Sequence, residues 1–291
     1  MQRFALVLCF MVCWMAPASG TTYIVNWHGT GDFETIQDAI DGVAAGDTIA
    51  LGNGTFRGAG NRGLYYYGKA VTIRSQFGDP SLCRIHCELD DFGVAFTHGE
   101  GPESILEDVT IQYGSGSDGA GIRCVESTPT ISNCVITECT GPGLSCDGAS
   151  PTVTDCVFLE NSATSYGGGI RCQSNSSPTF TNCQVTSNSA LSGGGLACSG
   201  STPNLVDCVF TLNSSSWVGG TGGGGLYSYE GSSPTLLGCT FDQNSAHSPF
   251  LGGGGGVLCE DAGLELEECD FTTNDAARGG ALRLSNPLDV T

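Results

Sequence analysis

One unit of sequence recurs, with small changes, from Gly119 to the end of the chain, and this repeat constrains the fold more than any other feature. Each unit opens with glycine and an apolar residue, as in "GGGIRC" and "GGGLAC". A second cysteine follows, and in most units an asparagine stands five residues later. These positions are Cys134, Cys156, Cys183, Cys208, Cys239 and Cys269, and Asn161, Asn188, Asn213, Asn244 and Asn274. A single active site needs each special residue once, whereas a stack of structural units needs it once per unit.

The length of the unit varies at one place. Extra residues collect just before the glycine run, as in "SSSWVGGTGGGG" and "AHSPFLGGGGG". A helical repeat would keep a fixed length, because one extra residue rotates a helix face by about 100 degrees. Length variation at a single corner is therefore typical of a loop on an otherwise regular coil.

Within a unit, apolar and polar residues alternate as they do in short strands. Arg171 stands between Ile170 and Cys172, and the alternation shifts by one residue at Asn182. We predict three short strands per unit, with identical strands of successive units paired about 4.8 Å apart. The predicted fold is all-β, a right-handed single-stranded parallel β-helix, which is a solenoid. An antiparallel sandwich is the competing fold, but its strands would not need identical residues at identical positions.

Two interpretations remain open for the repeated asparagines and cysteines. Stacked side-chain amides can hydrogen-bond along a column, and asparagine tolerates a left-handed corner; the alternative is a row of sugar or calcium ligands. The cysteines listed above would form one core column. A further column comprises Cys124, Cys146, Cys172, Cys198 and Cys259, with Ser228 in the remaining place. An exported protein can form disulfides, but we expect mostly reduced thiols packed in the core.

The chain divides into three segments. Residues 1–20 combine a short basic start, an apolar run and the small residues "APASG", which predicts a secretory signal peptide. Residues 21–63 predict an N-terminal cap of strand, amphipathic helix and strand, with Asp32 as the helix cap and Gly46 as its end. Residues 64–291 predict β-helix coils. Because the sequence stops in mid-unit, we expect a chain truncated at its C-terminus or part of a longer protein.

Composition limits the possible partners. The chain has 291 residues, with 30 acidic and 10 basic side chains and a formal net charge of -20. Such a surface repels phosphate backbones and anionic lipid, so we expect no nucleic-acid partner. No segment after residue 20 is long and apolar enough to span a bilayer, so we expect no membrane span in the mature chain. We expect a monomer.

Several stretches resemble a known superfamily. "FETIQDAIDGVAAGDTIALGNGTF" looks like the N-terminal cap of the pectate-lyase-like β-helix proteins, and "ILEDVTIQYG" is similar to the strand that opens their regular coils. The "GGGL", "FLEN" and "FTLN" motifs resemble the short repeats of polymorphic outer-membrane proteins. The resemblance covers nearly the whole mature chain and implies a parallel β-helix and an exported location. It implies no single activity, because the superfamily includes pectin lyases, pectin esterases, polygalacturonases and catalytically silent surface proteins.

The catalytic constellations of these enzymes are not recognisable in the sequence. Lyases of the superfamily use a basic residue with calcium held by carboxylates, but Arg123 and Arg171 have no aspartates at matching positions. Hydrolysis needs facing carboxylates on adjacent coils, whereas the remaining candidates Asp90, Asp91 and His98 all lie in one early coil, where a polar turn explains them. "CRIHC" lacks a second ligand pair, so we predict no metal site and no cofactor, with Ca²⁺ relevant only to a lyase.

Two functions from different classes follow. The first is a non-catalytic exported β-helix that serves as a cell-surface scaffold, adhesin or glycan-binding module, with carbohydrate or cell-surface components as partners. The second is a polysaccharide lyase or glycoside hydrolase acting on acidic polysaccharide. The regular repeats and the missing catalytic cluster favour the first. The functional residues should lie where the copies differ.

Overall fold

The computed structural model describes residues 20–216, 222–247 and 253–288. Its chain winds into a parallel β-solenoid whose longest sheet has ten strands, so the molecule has about ten coils. One α-helix, Ile36–Gly42, and a 3₁₀ turn, Pro80–Leu82, are the helical elements of the described residues. The predicted signal peptide lies almost entirely outside these residues.

Three long sheets form the walls of the solenoid, and each coil after the first contributes one strand to each. The first sheet contains Thr22–Val25, Thr48–Leu51, Thr72–Ser75, Ile105–Glu107, Thr130–Ser132, Thr152–Thr154, Thr179–Thr181, Asn204–Val206, Thr235–Leu237 and Glu265–Glu267. The second contains Gly54–Phe56, Cys83–His86, Thr110–Gln112, Val135–Thr137, Val157–Leu159, Gln184–Thr186, Val209–Thr211, Thr240–Asp242 and Asp270–Thr272. The third contains Leu64–Tyr65, Val94–Phe96, Ile122–Val125, Leu144–Asp147, Ile170–Gln173, Leu196–Ser199, Leu226–Tyr229, Val257–Glu260 and Leu282–Ser285.

A fourth, shorter sheet was not predicted. It pairs the residues that follow the repeated asparagines in the later coils, and its strands are Ser189–Ala190, Ser214–Ser215, Ser245–Ala246 and Asp275–Ala276. Strands this short carry no periodicity signal, which explains why sequence patterning overlooks them. The predicted all-β parallel β-helix is confirmed, with equivalent residues of successive coils in register: Ile170 pairs with Leu196, and Cys172 with Cys198.

The repeated asparagines lie inside the corner after the second sheet and are hydrogen-bonded to one another. Asn188 Nδ2 donates to Asn213 Oδ1 at 3.0 Å, and Asn213 Nδ2 donates to Asn244 Oδ1 at 3.0 Å. Each of these amides also donates to a backbone carbonyl of the preceding coil, as Asn213 does to Val185 at 2.7 Å. The amide polar groups are thus satisfied without solvent, which a buried polar column requires.

The cysteines occupy the core as thiols. All fourteen cysteines of the described residues are free, and only Cys269, in the last coil, is not fully buried. Cys124, Cys146, Cys172 and Cys198 stand in register on the third sheet, where Ser228 takes the next place. The aliphatic and aromatic residues between the thiols complete a single core that runs along the solenoid.

The helix covers the first coil but differs in its bounds from the prediction. It begins after Thr35, whose hydroxyl accepts a hydrogen bond from Asp38 N, and not after Asp32. The Asp32 carboxylate instead accepts from Ile24 N at 2.7 Å in a turn, so the predicted cap was wrong. Ile36, Ala39 and Ile40 are buried against the core, as their spacing on one helical face requires.

Candidate functional site

The coils that do not repeat carry an open groove along the outer face of the second sheet. We call it the second-sheet groove. Its lining residues are Trp27, Gly54, Thr55, Arg57, His86, Glu88, Leu89 and Tyr113. It consists of two adjoining cavities of about 500 Å³ and 310 Å³, and Arg57 contributes to both. Concave surfaces of this size with aromatic walls and a few polar groups are the usual form of ligand sites.

Three successive strands bring the polar side chains of the groove together, with Arg57 and His86 at equivalent positions and Tyr113 one position further along its coil. Arg57 follows Gly54–Phe56, His86 ends Cys83–His86, and Tyr113 follows Thr110–Gln112. Because parallel in-register strands stack equivalent positions, residues far apart in sequence become neighbours. The imidazole of His86 and the ring of Tyr113 lie with their centroids 4.8 Å apart.

Trp27 closes the other end of the groove. Its side chain is 52% exposed, which is unusual for so large an apolar group. The indole lies directly against Gly54, where a Cβ atom would collide with Cδ1 of the ring. Glycine at this strand position therefore seats the indole against the sheet while leaving much of it open to solvent.

Arg62 pairs closely with the acidic side chains at the groove, whereas Arg57 does not. Glu88 and Asp90 both form close ion pairs with Arg62, at the corner between the second and third sheets. Arg57 lies 3.9 Å from Glu88, and its side chain is 53% exposed. The carboxylate of Glu88 is therefore held mainly by Arg62, which leaves the Arg57 guanidinium accessible to a ligand.

The titratable groups of the groove are suited to binding. Nδ1 of His86 accepts a hydrogen bond from the Glu88 amide at 3.1 Å, so the neutral ring carries its proton on Nε2 and can donate there. Burial, and then the charge of Arg57, lowers the pKa of His86. The Tyr113 hydroxyl donates to Glu138 at 2.9 Å, and this bond raises the pKa of the phenol. Neither group presents a free basic atom to the groove, as a general base must.

The three catalytic candidates from the sequence do not converge. Asp90 is ion-paired with Arg62, and the Asp91 carboxylate accepts from the Phe92 amide at 2.9 Å. His98 lies beyond the other end of the strand Val94–Phe96, where its ring contacts two tyrosines. The aspartates and the histidine thus flank opposite ends of one strand and form no common site.

The other polar motifs do not assemble into sites either. Cys83 and Cys87 point into the core while His86 points outward, so they cannot ligate one ion. Within the described ranges, no group of three or more histidine, cysteine or acidic side chains could hold a metal. Arg171 donates to Ser145 at 3.2 Å and lies 3.4 Å from Asp118, so its guanidinium is engaged by this protein's own side chains.

The family of the chain follows from a match to the model described as the right-handed β-helix region. That match spans residues 39–214, more than half of the chain. This chain belongs to the right-handed β-helix family. The handedness predicted from the sequence is thereby confirmed, and the strands of the second-sheet groove lie within the matched part.

Solved structures share this fold at low identity. The chain matches pectate lyase Pel9A at a TM-score of 0.58 and 14% identity, covering 93% of this β-helix protein and 78% of the lyase. It matches ORF18 of Geobacillus virus E2 at a TM-score of 0.50 and 13% identity, over 91% and 60% of the two chains. A pectin methylesterase from carrot gives a TM-score of 0.49 and 10% identity, with 93% and 90% coverage. Identities this low establish the fold alone.

No curated protein matches the sequence significantly. Among the described residues, no helix has the length and apolar character needed to cross a membrane.

The groove of this β-helix protein was missed by sequence reasoning. Trp27, Arg57 and Tyr113 belong to different coils and carry no motif spacing. The available signal was a departure from the repeat, since Tyr113 stands where later coils have Glu138 or Glu160 after the second-sheet strand. With His86 and Glu88, these residues offer two aromatic rings, one open guanidinium, one imidazole N–H donor and one carboxylate.

Proposed function

We propose that this β-helix protein is an exported, non-catalytic glycan-binding module whose binding site is the second-sheet groove. The observation that carries the proposal is the exposed Trp27 indole beside the accessible Arg57 guanidinium in an open groove. A module of this kind could serve as an adhesin or scaffold at a cell surface. Export rests on the signal peptide predicted for residues 1–20.

The chemistry of the groove suits a pyranose ring. The flat C–H face of a sugar packs on an aromatic ring, and Trp27 and Tyr113 supply two such rings on either side of Arg57. Sugar hydroxyls both donate and accept hydrogen bonds. Arg57 and Nε2 of His86 supply donors, and Glu88 supplies an acceptor. This combination of apolar platform and few polar groups gives orientation as well as affinity.

The net negative charge of the protein favours a neutral glycan as the ligand. The formal net charge of -20 creates a field that repels polyanions, and one guanidinium does not offset it. Uronate polymers would in addition meet Glu88 and the exposed Asp90 at the edge of the groove. We therefore expect neutral polysaccharides to bind more tightly than polygalacturonate or alginate at low ionic strength.

The experiment measures retention on immobilised glucan, xylan, mannan, polygalacturonate and alginate, with and without calcium. We expect binding to at least one neutral polymer and at least a tenfold loss of affinity in Trp27→Ala. Phe77→Ala is the matched control, because Phe77 is 66% exposed but lies outside the groove. Absence of binding to all five polymers, or equal loss in both variants, would overturn the proposal.

The same samples test the competing enzymatic function. Reducing-sugar release and absorbance of unsaturated products are followed over time with each polymer. Calcium-dependent turnover of an acidic polymer, abolished by Asp90→Ala or Asp91→Ala, would replace the proposal with a lyase or hydrolase function. We expect no turnover, because these two carboxylates do not form a site with His98.

A further inference from the structure

A second aromatic surface lies around the corner from the groove, at the N-terminal end of the third sheet. We call it the tyrosine patch, and it consists of Tyr65, Tyr67, Phe92 and His98. The rings of Tyr65 and Tyr67 are stacked, 5.5 Å apart and 20° from parallel. Phe92 and His98 stand nearly perpendicular to Tyr65, at 86° and 85°. The patch therefore consists of a stacked tyrosine pair bordered by two edge-on rings.

Stability does not account for Tyr67. Its side chain is 52% exposed, so it contributes little to the core. Its backbone has a φ of 51°, a left-handed conformation that many corner residues of this solenoid share. A large aromatic ring left half exposed at a corner is available for a contact outside the fold.

A buried carboxylate fixes the patch. Glu100 is 1% exposed, and its two oxygens accept hydrogen bonds from the Gly68 amide at 2.9 Å and the His98 amide at 2.8 Å. This single side chain ties the turn that carries Tyr67 to the segment that carries His98. The backbone segments that carry Tyr67 and His98 are thus held in place before any ligand arrives, which reduces the entropic cost of binding.

The groove and the patch are close along the surface. Leu89 lines the groove and is 50% exposed, and Phe92 of the patch follows it by three residues. Three extended residues span at most about 11 Å. The corner between them is held by Arg62, which bridges Glu88 and Asp90. Because the two surfaces belong to different sheets, they face in different directions.

We propose that the tyrosine patch is a second contact for the glycan chain bound in the groove, and that this chain is curved. The inference rests on the proposed function. A β-1,4-linked glucan is an extended ribbon that can follow only one face, whereas a β-1,3-linked glucan bends and can turn the corner. The second contact becomes intramolecular once the first has formed, so affinity rises steeply when the chain is long enough to reach.

The test uses two series of glucose oligosaccharides, from disaccharide to hexasaccharide, with β-1,3 or β-1,4 linkages, measured by calorimetry. We expect the β-1,3 hexasaccharide to bind at least tenfold more tightly than the trisaccharide, and the β-1,4 series to show no comparable gain. Tyr67→Asn removes the ring and suits the left-handed backbone. It should abolish the gain and leave trisaccharide affinity unchanged, whereas Tyr67→Phe should keep the gain.

The outcomes separate this inference from the proposed function. A β-1,3 hexasaccharide no tighter than the trisaccharide, or a gain that survives Tyr67→Asn, would overturn the second contact alone. Equal gains in the two series would overturn the curved chain. Failure of every oligosaccharide to bind the wild type would remove the groove as a glucan site, and this inference with it. Unchanged melting temperatures for Tyr67→Asn and Tyr67→Phe would show that a loss of affinity does not come from a loss of folding.

Discussion

At the scale of single residues, the asparagine column shows how a polar side chain can belong to a core. Asn213 is completely buried, yet its amide makes four hydrogen bonds. Its Oδ1 accepts from the amide and side chain of Asn188, each at 3.0 Å, and its Nδ2 donates to Val185 and Asn244. Removing such a group leaves several buried partners unsatisfied.

We therefore predict a large destabilisation in Asn213→Ala. Each orphaned buried group costs about 1–3 kcal/mol, so the free energy of unfolding should fall by roughly 3–5 kcal/mol. Asn204→Ala is the control, since Asn204 is an exposed strand residue and its substitution should change little. Urea denaturation followed by circular dichroism measures both. Similar midpoints for the two variants would show that the column does not stabilise the coils.

Substitution of Ser228, in contrast, is predicted to raise the free energy of unfolding. It interrupts a cysteine column, and its buried Oγ has no hydrogen-bond partner among the described residues. Ser228→Cys should raise the free energy of unfolding by about 1 kcal/mol, because it removes an unsatisfied hydroxyl and fills the column with a thiol. Ser232→Ala is the contrast, because the Ser232 hydroxyl donates to Tyr229 at 2.7 Å and accepts from Ser201 at 3.1 Å. Stabilisation by Ser232→Ala, or destabilisation by Ser228→Cys, would contradict this account.

At the scale of elements, the helix Ile36–Gly42 depends on groups supplied by the coils. Lys69 Nζ donates to the carbonyls of Ile40, Asp41 and Val43 at 2.7, 2.8 and 3.1 Å, which caps the C-terminal end of the helix. The Gln37 amide donates to Tyr65 O at 3.1 Å and accepts from Tyr65 N at 3.0 Å. Gln37 thus pairs with the first strand of the third sheet as a neighbouring strand would, and it covers that open edge.

Lys69→Met should loosen this helix selectively. It removes three charge-assisted hydrogen bonds and a favourable charge at the helix C-terminus, together about 1–3 kcal/mol. Hydrogen exchange should accelerate at the amides of Ala39 to Val43, and remain unchanged in the coils after residue 120. Arg74→Met is the control, a change of charge on the first sheet away from the helix cap. Equal acceleration in both variants would assign the effect to net charge.

The elements also show how far the sequence determines the structure. The coils could be predicted because every unit repeats the same inward-pointing residues, so a correct strand assignment for one unit applies to all units. The helix bounds could not be predicted, since aspartate and threonine are both favoured N-cap residues and only the packed turn selects between Asp32 and Thr35. The groove was not predictable either, because stacking brings together Trp27, Arg57 and Tyr113 from three coils. No local pattern connects them.

At the scale of the whole molecule, an acidic surface surrounds a core of thiols. Burial raises the pKa of Cys83 and of Cys198 to about 12 from an ordinary value of 9.0. The thiolate is the reactive form, so the native protein should be inert toward thiol reagents at pH 8. Among the cysteines of the described residues, we predict that dithionitrobenzoate reacts with at most Cys269 in the native state and with all the core thiols in guanidinium. Rapid reaction of several native thiols would contradict a closed core.

The same thiols should make the fold sensitive to alkali. A raised pKa means that, above pH 9, the unfolded chain releases protons that the native state retains, so stability falls as pH rises. The stabilisation is complete below pH 9 and is lost between pH 9 and about 12, where the pKa of Cys83 and of Cys198 lies. Each such thiol contributes a slope of about 1.4 kcal/mol per pH unit, and several act together. We expect a cooperative loss of β-sheet circular dichroism in this window, accompanied by thiolate absorbance, and recovery on return to pH 8 under reducing conditions. A native signal that persists above pH 12 would contradict this expected loss of stability.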